Sequence, residues 1–215
     1  LEIFLNEGKM KETVNNFIAD KFGTSEACSV GFVPLAQPKA FAQDLGNFVY
    51  QLHQLEATGA KNPALMLPVI EAEFLTLLDQ MKRIAPVEGL RLYWDKASKN
   101  PWTKPAVVLH GELNLDTVWK RADKFSGVAE TAASIIGDPA CDLTIAWEIF
   151  DEKQRKIFFS AAEADKATVI RARVWAIYKA MKNYNAADID QSILARDVLF
   201  RINEELGLGA EPDLY

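Results

Sequence analysis

Apolar residues recur at helical spacing over most of the chain. Met10, Val14, Phe17, Ile18 and Phe22 form one amphipathic helix ending at Gly23. Phe41, Leu45, Phe48, Val49 and Leu52 make a second stripe, and Phe74, Leu77, Leu78 and Met81 a third. Leu90, Trp94 and Ala97 mark a shorter helix before Pro101. Three more helices are predicted at about 151–160, at 165–184 (Ile170, Val174, Ile177, Tyr178, Met181) and at 188–206 (Leu194, Val198, Ile202, Leu206), the last stopped at Gly207. Leu1–Leu5 reads as a short strand stopped by Asn6-Glu7-Gly8, and 24–37 and 56–68 read as connections.

The middle of the chain changes period. Ala106-Val107-Val108-Leu109 reads as a short buried strand, followed by a polar loop from His110 to Thr117. Thr117-Val118-Trp119 and Phe125-Ser126-Gly127-Val128 read as two small strands joined by Lys120–Lys124. Asp138-Pro139 is a helix start, with aspartate as N-cap and proline in the first turn, and the helix is expected to run through Ile145, Trp147 and Ile149. The pattern describes one mostly helical domain over 1–215 with a small central β-hairpin, an α+β fold.

Composition narrows the class. Of 215 residues, 49% are apolar and 25% charged, the balance of a folded globular chain. Two cysteines, Cys28 and Cys141, are too few for a disulfide framework, so a reducing, cytoplasmic setting is expected. A net charge of −6 argues against nucleic acid as partner and suits a small cationic ligand. No apolar run reaches the length of a membrane span, and no basic stretch followed by an apolar one opens the chain, so neither membrane insertion nor a signal peptide is expected. The chain begins at Leu1 rather than Met, as a fragment or processed product would.

Familiar chemical motifs are missing: no glycine-rich phosphate loop, no Gly-x-Ser-x-Gly elbow, and no zinc-type cluster among two cysteines and two histidines. His53, next to the second stripe, reads as a rim residue rather than a ligand. One stretch stands apart. His110-Gly111-Glu112-Leu113-Asn114-Leu115-Asp116-Thr117 puts an oxygen-rich loop directly after a buried strand, and Gly127-Val128-Ala129-Glu130 and Gly137-Asp138-Pro139-Ala140-Cys141-Asp142-Leu143 follow.

These segments resemble the aminoglycoside phosphotransferase family, which has a protein-kinase-like fold. Arg171-Ala172-Arg173-Val174-Trp175-Ala176 resembles the family's Arg-Gly-Arg-Gly-Trp-Ala helix, Phe48–Gly59 the helix before its substrate region, and Leu1–Gly8 the hinge between its lobes. The resemblance covers most of the chain but only the part equivalent to the kinase C-lobe. It divides the sequence into a hinge remnant (1–8), a helical region (9–105), a catalytic-loop and hairpin region (106–136) and C-terminal helices (137–215). It implies Mg-ATP as cofactor and a hydroxylated small molecule as phosphate acceptor.

Departures from the family pattern fall on its chemistry. Glu112 stands at the position of the catalytic aspartate, Thr117 at that of a magnesium-binding asparagine, and Glu130 at that of the metal-binding aspartate. No N-lobe sheet with a phosphate-covering loop and strand lysine is found before His110, so that part is expected from a missing segment or another chain. Supporting residues keep their places: His110, Gly111, Asp138 and Asp142, the last implied to accept backbone N–H groups of the catalytic loop. Altered chemistry on a kept scaffold implies a pseudoenzyme that acts by binding, with an O-phosphotransferase as the alternative. Without an upper lobe, the hairpin face near Val118 and Val128 needs a cover. The 10–22 helix, a second copy or a partner chain would each serve.

Overall fold

The computed structural model describes residues 2–22, 28–31, 35–57, 65–83, 87–130 and 135–205. The expected stops at Gly23 and Gly207, and Gly59 and Pro63 of the 56–68 connection, lie outside these residues. Two compact units are formed, one from Leu1–Leu65 with Lys104–Ala164, the other from Met66–Thr103 with Asp165–Tyr215.

The first unit holds α1 (Glu2–Phe22), β1 (Cys28–Ser29), α2 (Pro38–His53), β2 (Val107–Leu109), β3 (Val118–Arg121), β4 (Lys124–Val128), β5 (Ile135–Gly137), α5 (Ala146–Ile149) and α6 (Glu152–Ala161). Its core is aromatic. Phe17 and Phe22 of α1 pack on Phe48 of α2 with ring centroids 5.7 and 5.6 Å apart, and Phe22, Phe41 and Phe48 all meet Phe125 of β4. One face of α1 therefore lies against the β3–β4 hairpin, the first of the covers considered above. Val118 and Val128 are fully buried. Helices α2 and α6 approach so closely that a Cβ on Gly46 would stand 2.6 Å from both Ala161 Cβ and the Phe158 carbonyl oxygen. Helix α6 is started by a capping box in which the Asp151 carboxylate accepts the Gln154 N–H at 2.8 Å.

Three local expectations are corrected, and one strand is added. Residues 2–5 do not form the expected strand: α1 runs through them from Glu2, across Asn6 and Gly8. A strand needs a neighbour, and no described strand pairs with them, whereas extending a helix already nucleated over 10–22 costs only about 1 kcal/mol at a glycine. The 24–37 loop contains β1, whose Cys28 and Ser29 pair antiparallel with Lys120 and Trp119, making a three-stranded sheet in the order β1-β3-β4. Ile135–Gly137 is a strand paired antiparallel with β2, Val107 opposite Gly137. The helix capped by Asp138 is a 3-10 turn over Pro139–Leu143, and only Ala146–Ile149 is α-helical. The hairpin itself forms as expected, with a tighter turn at Ala122 and Asp123, both at positive φ.

The second unit is helical: α3 (Leu67–Met81), α4 (Glu88–Ser98), α7 (Lys166–Asn183) and α8 (Ile189–Glu205). Phe74 stacks on Trp94 at 4.4 Å between α3 and α4. The buried Arg171 of α7 donates to the Asn100 carbonyl at 3.1 Å and to Thr168 Oγ1 at 3.0 Å, with its guanidinium over the Trp102 ring. Arg173 pairs with Glu205 at 2.8 Å and lies over Tyr93. Among the described residues no helix is long and apolar enough to cross a membrane.

Candidate functional site

The loop after β2 is held from behind by one buried carboxylate. Asp142, on the 3-10 turn, is 1% exposed. Its Oδ2 accepts the His110 N–H at 2.9 Å and its Oδ1 the Gly111 N–H at 2.8 Å. His53 Nε2, at the end of α2, lies 3.2 Å from Oδ2. Burial pushes the Asp142 carboxyl up, but the His53 hydrogen bond, the nearby imidazoles of His53 and His110, and the Gly111 N–H outweigh it. The group is held below the ordinary aspartate range. Two adjacent amides can aim at one carboxylate because Gly111 takes a φ of +83°, which a side chain would strain. Asp138 sets the turn's start by accepting the Ala140 N–H at 3.0 Å.

His110, fully buried, ties this loop to the end of the hairpin. Its Nε2 is 2.9 Å from the Ala129 carbonyl oxygen, and its Nδ1 is 3.3 Å from the Glu112 N–H. A carbonyl only accepts and an N–H only donates, so these partners select the tautomer with its proton on Nε2. Ala129 in turn donates its N–H to the Thr117 carbonyl at 2.7 Å. The residues flanking Thr117 and Glu130 are thereby brought to one end of the hairpin.

The loop is also stapled internally. Thr117 Oγ1 donates to the Glu112 carbonyl at 2.7 Å and accepts the Asn114 N–H at 2.9 Å, while Asn114 Oδ1 accepts the N–H groups of Asp116 and Thr117 at 2.9 and 3.0 Å. The hydroxyl's only proton is thus engaged inside the loop. The carboxylates of Glu112 and Glu130 are exposed and make no hydrogen bond or ion pair with the described residues. No group of three or more His, Cys, Asp or Glu side chains is placed to hold a metal ion among the described residues.

The expectation for His53 is corrected. Its side chain is only 8% exposed and hydrogen-bonds the carboxylate that carries the loop. Its spacing of four from Val49 put it on the buried face of α2, a signal that the sequence did contain.

Comparison by sequence finds no matching protein-family model and no matching curated protein. Comparison of structures does find similar folds. A macrolide 2'-phosphotransferase from Brachybacterium faecium, solved as the apoenzyme, is similar with a TM-score of 0.55 at 17% identity, over 91% of this chain and 81% of that one. An ADP-bound aminoglycoside phosphotransferase gives 0.53 at 13% identity, over 93% and 83%. A choline/ethanolamine kinase family protein from Mesorhizobium loti gives 0.54 at 16%, over 94% and 81%. Identities this low speak to the fold. The chain has the α+β, kinase-like fold shared by aminoglycoside and macrolide phosphotransferases.

Proposed function

We propose that this chain is a phosphotransferase-fold protein that binds nucleotide or a hydroxylated cationic ligand and transfers phosphate poorly, a pseudoenzyme built on an intact catalytic-loop scaffold. The observation that carries this reading is the Thr117 hydroxyl. At the position where the resembled family places a metal-binding asparagine, this side chain gives its proton to the Glu112 carbonyl and accepts the Asn114 N–H. It closes the loop instead of facing a ligand.

The donor chemistry fits magnesium only in part. Mg²⁺ takes one or two carboxylates together with waters and phosphate oxygens. Glu130, exposed and unpaired with described residues, is a donor of that type and would hold the ion; Thr117 adds at most one lone pair. Bound Mg-ATP would supply the transferable phosphoryl group. The chain's own contributions would be a loop fixed by Asp142 and His110 and a carboxylate at Glu112 to orient an acceptor hydroxyl. Glutamate extends that carboxylate by one methylene relative to aspartate, and a displacement of about 1 Å costs on the order of a hundredfold in rate. The reading takes this chain as the lower lobe, with the phosphate-covering lobe contributed from elsewhere.

A second reading, an ATP-dependent O-phosphotransferase with Glu112 as base and Thr117 and Glu130 as metal ligands, is favoured by the exposed Glu112 carboxylate, unpaired with described residues, on a loop that Asp142 holds. Nucleotide binding is measured by titration calorimetry, and phosphate transfer is followed with Mg-ATP and a panel of aminoglycosides, macrolides and amino alcohols. The pseudoenzyme reading expects binding with turnover at background, unchanged in Glu112→Gln. Turnover that Glu112→Gln abolishes would establish the second reading instead. Replacing Glu112, Thr117 and Glu130 together by Asp, Asn and Asp is expected to raise turnover.

A further inference from the structure

Helix α8 turns Val198, Leu199 and Ile202 into the core of its unit, yet its outer face also carries three large apolar side chains among charged ones. Ile189 is 73% exposed, Ile193 50% and Phe200 62%, spaced one and two helical turns apart along a single stripe. Exposed apolar side chains scattered singly need no explanation, but three aligned on one face are the spacing by which a helix seats against another chain. Beside them runs a second row at seven-residue spacing: Asp190, Asp197 and Glu204, all exposed, whose carboxylates make no hydrogen bond or ion pair with the described residues. Arg196 sits within the stripe, with its guanidinium over the Tyr184 ring.

We propose that this face of α8 docks an amphipathic helix of a partner protein whose apolar seam is flanked by lysine or arginine. The charge pattern selects this occupant. In an antiparallel pair of helices each flanking row faces the same row of its neighbour, so a second copy would set Asp190, Asp197 and Glu204 against themselves. In a parallel pair the acidic row would face the opposite flank, where Ser192 and Leu199 are buried and offer no cation. A basic flank on the partner converts the same row into three attractive contacts, and an acidic partner residue opposite Arg196 completes the match. The proposal does not depend on nucleotide binding or transfer.

The test uses the whole chain and two synthetic helical peptides with the same leucine seam, one flanked by lysines and one by glutamates, followed by fluorescence anisotropy. The lysine-flanked peptide is expected to bind at least about tenfold more tightly than the other. Phe200→Ser, a change on the surface, is expected to weaken it by about tenfold or more. Reversal of the row (Asp190→Lys, Asp197→Lys, Glu204→Lys) is expected to invert the preference, whereas Asp44→Lys, Glu56→Lys and Glu88→Lys leave it in place. Far-UV circular dichroism establishes that each variant is folded. Equal binding of both peptides, a preference unmoved by reversing the row, or one moved as much by the distant reversals would overturn the proposal. So would a dimer in sedimentation that Phe200→Ser dissolves, since the occupant would then be a second copy.

Discussion

Replacing Asp142 by asparagine changes one atom and breaks the support of the loop. The carboxylate accepts three donors: the His110 N–H and His53 Nε2 at Oδ2, and the Gly111 N–H at Oδ1. An amide has one oxygen. Placed where Oδ2 stands, it keeps His110 and His53 but turns its NH₂ toward the Gly111 N–H, donor against donor. The cost is one charge-assisted hydrogen bond, about 1.5–3 kcal/mol, plus a buried unpaired N–H at about 1–3 kcal/mol. We expect Asp142→Asn to lose about 3–5 kcal/mol of unfolding free energy at neutral pH, a large share of the roughly 5–15 kcal/mol available to a domain. Urea unfolding with both near-UV and far-UV detection measures it. The effect also has a pH signature. Because the folded-state carboxyl is depressed, its contribution is fully present above the ordinary aspartate range, near pH 4, and is lost as pH falls through the folded-state value. The gap between wild type and variant should therefore narrow in acid. A variant within about 1 kcal/mol of wild type at pH 7, or a gap that widens below pH 4, would refute the account.

Other substitutions probe separate contacts. Gly46→Ala drives a methyl into Ala161 and the Phe158 carbonyl, and should cost about 1–3 kcal/mol in thermal or urea unfolding; a neutral result would mean that α2 and α6 are not in close contact. Gly127→Ala is strained at a φ of +147° and brings its methyl to 3.1 Å from Phe22. It is expected to loosen α1, seen as faster tryptic cleavage after Lys21, and unchanged cleavage would argue against α1 packing on β4. Thr117→Val removes the staple between Glu112 and Asn114 and should cost about 1–2 kcal/mol. Greater hydrogen exchange at the Asn114 amide would localise that loss to the loop.

Helices were legible wherever a buried face repeated within one segment. Phe41, Leu45, Phe48, Val49 and Leu52 of α2 declare their period without reference to anything else, and all five are fully buried. Asp138-Pro139 announced its cap through chemistry confined to three residues. The hairpin too was readable, because β3 and β4 are neighbours in sequence. Other features were fixed only by distant parts of the chain. Strands β1 and β5 have two and three residues, too few for an alternating pattern, and exist because Lys120 and Val107 offer them a ladder. Leu1–Leu5 has the composition of a strand, but residues 2–5 have no described neighbour to pair with, so the adjoining helix claims them. The same division runs through the site. The family resemblance singled out Glu112, Thr117 and Glu130 as substituted positions and Asp142 as a support. Only the tertiary structure joined His53 to Asp142 across 89 positions, and only it turned the Thr117 hydroxyl inward. Both are matters of polar satisfaction. A buried donor or acceptor is completed by whatever group the fold brings within about 3 Å, and that choice is set by packing rather than by spacing along the chain.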